Sequence, residues 1–181
     1  MKTLNNLFWM LLAQLLAKPM IADWLIRRSK RTPYLHIPSN EDPSYMERYW
    51  LFNPYNRETG EPKRKWIPFS IRIHHIKRED GEKHLHDHPW DARTIMLKGG
   101  YRECALVDGP RYPLIIHRMR YPGDTANIGF GKYHRIERVL TGGAITLFIS
   151  WRYQGVWGFL VDGHKIPWKA YLKGGRHQDD I

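Results

Sequence analysis

The sequence predicts an all-β protein, a sandwich or barrel of short antiparallel strands preceded by helices. Three observations carry that expectation. Between Trp66 and Val161 the β-rich runs "IPFSIRIHHI", "RTIMLKG", "YRECALV", "PLIIHRMRY", "TANIGF", "YHRIERVL", "AITLFISWRY" and "VWGFLV" follow one another. Turn signals such as "REDGE", "KGG", "DGPR", "YPGD" and "TGG" separate most of them. No internal repeat appears, and there is no helical crossover of the kind that parallel strands require.

Taken in order, residues 1–31 read as a helical segment. Leu4, Leu7, Phe8, Leu11, Leu12, Leu15 and Leu16 recur at helical spacing and give an amphipathic helix with a wide apolar face. Pro19 suits the first turn of a second helix, running to about Arg28. Packing on the domain or on a partner subunit is the expected use of these helices. A signal peptide and a membrane-surface helix are the alternatives. The apolar stretch is too short to span a bilayer, and Lys18, Pro19 and Asp23 interrupt its extension, so integral insertion is not expected.

Residues 32–65 are rich in proline and polar turn formers and predict an irregular segment wrapped around the core. Residues 66–173 hold the barrel and a C-terminal extension. Residues 174–181, ending "GGRHQDDI", form a polar tail.

The 181-residue chain is one domain with additions. Its single cysteine, Cys104, excludes a disulfide framework and a cysteine-rich zinc module, and fits a reducing cytoplasm. Net charge is +11 and the pI is near 9.8, which favours an anionic partner. The basic residues are scattered, and the aromatics do not cluster with them, so nucleic acid is not the expected partner. A small anionic molecule is.

"KHLHDHPWDARTIMLKGGY", residues 83–101, places His84, His86 and His88 at alternate positions. In an extended chain alternate side chains share a face, so the three project together and Asp87 points away. Imidazoles are costly to bury without partners, and a cluster of them suits zinc, iron, copper or nickel and not magnesium or calcium. A further ligand must come from elsewhere in the chain. His134 in "PGDTANIGFGKYHRIE", just after a glycine turn, is the candidate.

Together these stretches resemble the two motifs of the cupins, in order. The first is His-x-His, an acid a few residues on, then a strand-ending glycine. Counting back from Gly99 puts the pair at His86 and His88 and the acid at Ala92, with His84 one step outside. Gly123, residues 124–128, Gly129-Phe130-Gly131, Lys132-Tyr133 and His134 match the second motif, with Gly129 in place of the turn proline. The resemblance implies a double-stranded β-helix, a jelly-roll barrel, binding one divalent transition metal through His86, His88 and His134. Fe(II) is the first expectation, with Zn, Ni and Mn as alternatives.

Ala92 cannot bind metal, so the ion would keep its full charge and open positions, a setting suited to an anionic ligand. The all-histidine set, with "HDH" at 86–88 and "HRIE" at 134–137, resembles the thiol dioxygenases among the cupins. That likeness implies iron-dependent dioxygenase chemistry on a small anionic substrate. Arg72 in "FSIRIHHI" is then the candidate substrate arginine, while Arg93 stands where animal cysteine dioxygenases carry a crosslinking cysteine. "RTPYLHI", "YMERYWLFNP" and "WGFLVDGHKIPWKAYL" extend a likeness over roughly residues 30–173 to small cupin-like proteins of bacteriophages and bacteria, which implies a cytoplasmic location, the host cytoplasm if phage-encoded, but no activity.

His84, Arg72 and Tyr101 complete the candidate catalytic set, and His74 shares the strand parity of Arg72. A non-catalytic phage accessory protein that sequesters an anion in its barrel is the second functional expectation. A sugar-epimerase-like isomerase is the third. It needs a general acid–base pair, for which the sequence offers only His84 with a distant acid. A homodimer is compatible with the apolar N-terminal helix.

Overall fold

A computed structural model describes residues 2–37, 45–56, 58–59 and 61–174 of the chain. Two helices come first, α1 (Lys2–Leu16) and α2 (Pro19–Ser29), the second opening on proline as its fixed φ favours. Strands β1 (Pro33–Ile37), β2 (Met46–Phe52) and β3 (Ser70–Ile76) follow, then the 18-residue β4 (Trp90–Val107). Next are β5 (Leu114–Arg120), β6 (Thr125–Ile128) and the 20-residue β7 (His134–Tyr153). A hairpin of β8 (Gly158–Val161) and β9 (His164–Pro167) leads into α3 (Trp168–Gly174). All paired strands are antiparallel.

Two of these assignments correct the sequence reading. Residues 32–65 are not merely a wrapping, because β1 and β2 lie inside them and extend the sheet in the order β1-β2-β3-β7-β4-β5. Residues 38–44 of that segment, and the polar tail from 175 on, fall outside the described residues. "RTIMLKG" and "YRECALV" are two halves of one strand, as are "HRIERVL" and "AITLFISWRY". The double glycines expected to be turns instead mark a kink within paired strands.

Pairing of β4 with β7 runs Trp90↔Tyr153 to Gly99↔Ala144, then resumes at Tyr101↔Val139 and ends at Ala105↔His134. The break at Gly99 lets each long strand serve two layers. One layer joins β1, β2, β3, the C-terminal half of β7, the N-terminal half of β4, and β6. The other joins β5, the remaining halves of β4 and β7, residues 85–87, β8 and β9. Residues 85–87 enter it as a single extended turn of chain. His86 and His134 exchange both backbone hydrogen bonds at 2.9 Å, and Asp87 N donates to Gly158 O at 3.0 Å. This is an all-β jelly roll with N-terminal helices.

The kink depends on glycine. Gly99 has φ +67°, and a Cβ there would stand 1.9 Å from the Gly143 carbonyl oxygen, itself on a residue at φ +84°.

The helices close the outer face of the first layer. Ala13, Ala22 and Leu25 join Ile73, Ile95, Leu97, Leu147 and Ile149 in one apolar cluster, against which Trp9, Leu16 and Trp151 pack. The rings of Trp9 and Trp151 meet edge to face at 6.4 Å, so packing on the barrel, the first of the expected uses, is what the structure contains. No single described helix is long and apolar enough to cross a membrane. α1 and α2 meet that test only as a pair bent by 82°.

Leu25→Ala is therefore expected to destabilise the fold by about 2–5 kcal/mol in chemical denaturation, the usual cost of truncating a core leucine. Deleting residues 1–30 should expose the cluster and cause aggregation, read by light scattering. An acid-sensitive tie lies on the neighbouring strands. Glu47 on β2 bonds Lys77 at 2.9 Å and accepts from Tyr49 at 2.9 Å, and the Lys77 bond foremost lowers its carboxyl from 4.5 to about 2. A depressed carboxyl stabilises the fold above its unfolded pKa and ceases to do so as pH falls through the folded one. The melting-temperature gap between the native chain and Glu47→Gln should be full near neutral pH and close as pH falls from about 4.5 to about 2.

Candidate metal centre

The two layers enclose a cavity of about 530 Å³, and the predicted histidine triad lines it. His86 and His88 come from the extended segment before β4, and His134 opens β7. The His86–His134 backbone bridge brings the two stretches together. One ligand atom of each residue lies within 4.8 Å of the others, and Nε2 of His88 stands 2.9 Å from Nε2 of His134. Such a set of converging imidazole nitrogens fits a divalent transition metal.

Alternation holds for two of the three neighbouring histidines. Asp87 points away, as expected: it is fully buried, accepts from Gly158 N at 2.8 Å and pairs with Lys165. His84 does not join its neighbours. The chain before Leu85 bends, and the His84 ring turns to Tyr171 of α3, with Nδ1 2.8 Å from the phenol oxygen. That places it outside the triad, as a tie between the loop and the C-terminal helix.

No carboxylate replaces the expected acid at Ala92, which is fully buried between Ser150 and Ile128. Acids stand one step further out instead. Glu103 Oε1 lies 3.1 Å from His134 Nδ1, while its other oxygen takes Arg120 at 2.7 Å. With Nδ1–H donated to Glu103, His134 presents the lone pair of Nε2 to the centre. Burial pushes the Glu103 carboxyl up, but the hydrogen bond from His134 and the Arg120 guanidinium outweigh it and hold the group below the usual carboxylate value. Asp80 Oδ2 stands 4.0 Å from His86 Nδ1 and accepts from Ile136 N at 2.7 Å. Burial lowers His86 to about 4 and holds His88 well below the usual imidazole value, so the buried pair is neutral and ready to ligate.

Glu103 is absent from the sequence-level set. Its signal was a lone acid at the inward parity of Tyr101 in the apolar run "YRECALV", visible only once that run is known to continue β4.

The adjoining wall is cationic and aromatic. Arg48 pairs with His74 across β2 and β3, and Arg72 pairs with Phe148 across β3 and β7. Arg72 is buried, with its guanidinium 5.1–5.2 Å from the ring centres of Trp50, Trp90 and Phe148. His74 stacks on Phe148 at 4.7 Å, and its Nε2 is buried without a hydrogen-bond partner. Burial, then Arg72 and Arg48, keep that ring neutral. Tyr101 lines the cavity while its ring packs with Ile76, Met96 and Ile136, and burial raises its phenol pKa. Trp157 lies 6.1 Å from His86 and stacks on Trp168 at 5.6 Å, roofing the mouth. Arg93 faces outward over Trp9.

Carboxylate support of a ligand histidine is worth 10- to 100-fold in metal affinity by general experience. Glu103→Gln, which keeps the side-chain shape, is expected to weaken zinc binding by about that factor in a chelator competition.

No protein-family model and no curated protein sequence matches the chain. Solved structures do. DMSP lyase DddQ from Ruegeria pomeroyi DSS-3 superposes with a TM-score of 0.50 at 16% identity, over 74% of this chain and 62% of that one. Oxalate decarboxylase from Lactobacillus farciminis, in complex with formate, gives 0.48 at 14% identity, over 79% and 35%. A mannose-6-phosphate isomerase-like protein from Ralstonia eutropha JMP134 gives 0.38 at 19% identity, over 56% and 83%. The chain thus spans less than two thirds of the lyase and about a third of the decarboxylase. What the superposition on the lyase carries, at this identity, is the fold: the chain is built as a cupin jelly roll.

Proposed function

We propose that the protein is a metal-dependent cupin in which His86, His88 and His134 hold one divalent transition metal, Fe(II) first, beside a binding space for a small anionic substrate. The single observation that supports this most is the convergence of three imidazoles, His134 buried and His86 and His88 half-buried, on one point of the cavity. A metal there supplies Lewis-acid chemistry and, if it is iron, one-electron redox chemistry of the dioxygenase kind.

The chain's own residues divide the remaining work. Glu103 holds the His134 ring so that Nε2 faces inward. Arg72 and Arg48 make the adjoining wall attractive to a carboxylate, enolate or thiolate. The aromatic faces around Arg72 and the Trp157–Trp168 stack give the space an apolar lining. His74 offers a buried ring nitrogen to whatever fills the cavity.

That nitrogen also favours a second reading, the isomerase. His84, the only base apparent in the sequence, is held by Tyr171, whereas His74 and Tyr101 both line the cavity and could exchange a proton with a bound substrate.

Anaerobically purified protein should carry one equivalent of transition metal by elemental analysis. His86→Ala and His134→Ala should remove it, and His84→Ala should retain it. The ferrous protein should take up O₂ with a thiol or enolate from a metabolite panel. Uptake of no oxygen, with a proton exchanged in the substrate, marks the isomerase. An anion retained from an extract and released unchanged marks a sequestering protein. A folded chain that binds no metal ends the reading.

A further inference from the structure

The face of α1 that the barrel leaves uncovered is more apolar than a solvent-facing helix tolerates. Trp9, Ala13 and Leu16 turn toward the core. On the opposite side Leu4, Leu7, Phe8, Met10, Leu11 and Leu15 are each 46–73% exposed. Leu4, Phe8, Leu11 and Leu15 follow at intervals of four, three and four residues and form one continuous stripe. α2 adds Met20, 86% exposed, and Trp24, 58% exposed, on the side that continues into Arg27 and Arg28.

Charge decides what can cover this surface. Residues 1–31 contain six lysines and arginines and one acid, Asp23, which is paired with Lys98. Lys18 sits at the bend between the helices, and Arg27, Arg28, Lys30 and Arg31 are exposed where α2 ends. A second copy seated on the stripe would bring two such clusters, on two chains of net charge +11, toward each other. The 82° bend also gives a short two-armed patch, not the straight seam a helical pair requires. An anionic lipid surface takes both features at once: leucines and phenylalanine enter the acyl boundary, tryptophan lies at the headgroups, and the cations meet lipid phosphate.

We propose that α1 and α2 dock the barrel onto anionic phospholipid bilayers, with the outer face of α1 lying in the interface and Lys18, Arg27, Arg28, Lys30 and Arg31 on the headgroups. The helices then serve the core with one face and the membrane with the other. This assignment is independent of the metal centre.

The test uses the full chain and sedimentation with vesicles of phosphatidylcholine containing about a quarter phosphatidylglycerol, against vesicles of phosphatidylcholine alone. Preferential binding to the anionic vesicles, weakened by high salt, is expected. Leu7→Gln/Leu11→Gln/Leu15→Gln should lower it by at least about tenfold while leaving the melting temperature near native, because these side chains face solvent. Arg27→Gln/Arg28→Gln should lower it by roughly fivefold per charge and flatten the salt dependence. The proposal is overturned if the native chain ignores anionic vesicles or if the leucine variant binds them as well as native. It is equally overturned if analytical ultracentrifugation shows a dimer that this variant dissociates.

Discussion

Pairing between β4 and β7 is the constraint on which the remaining structure rests. Each strand is long enough to run through both layers, and each can do so only by turning sharply at its middle. Four residues of β7 loop out opposite Gly99 and Gly100, and the Gly143 carbonyl occupies the place a side chain would need. Without that close approach the two halves would continue as one flat ribbon, and no cavity would form between layers. Because the bend is shared by both strands, His134 at the start of β7 is carried to the end of β4, within reach of Glu103 two residues before its partner Ala105.

The histidine triad is a by-product of this geometry with its own electrostatic logic. Three imidazoles buried together would repel one another if protonated, and burial keeps His86 and His88 neutral. Negative charge is present but held outside the ligand shell, on Glu103 and Asp80. Glu103 is in turn balanced by Arg120, so the support of His134 does not leave an unpaired buried acid. Arg72 adds positive charge over the Trp90 and Phe148 rings that His88 also meets. The cavity therefore combines a cluster of imidazoles that could hold a metal ion with arginines on its lining.

The helices show how one element can meet two demands. α1 is apolar nearly all round, which in a soluble protein describes a buried helix, yet only one side of it is buried. The buried side replaces solvent over the first layer and completes a core that the strands alone leave open. The other side joins no core cluster among the described residues, and its basic surroundings give it a chemical direction.

By itself the sequence determined the fold class, the N-terminal helices and the identity of the triad, because these depend on local periodicity and on the spacing of His86, His88 and His134 around glycine turns. Alternation of side chains was enough to separate Asp87 from His86 and His88. It failed for His84 because the chain bends before Leu85, and local periodicity does not report bends. Tertiary structure alone decided that Tyr171 captures His84 and that Glu103 supports His134. It also decided that His74 Nε2 has no hydrogen-bond partner among the described residues, and that β1 and β2 belong to the sheet. Each of these depends on contacts between residues far apart in the chain, which the folded backbone sets and no local pattern of residues records.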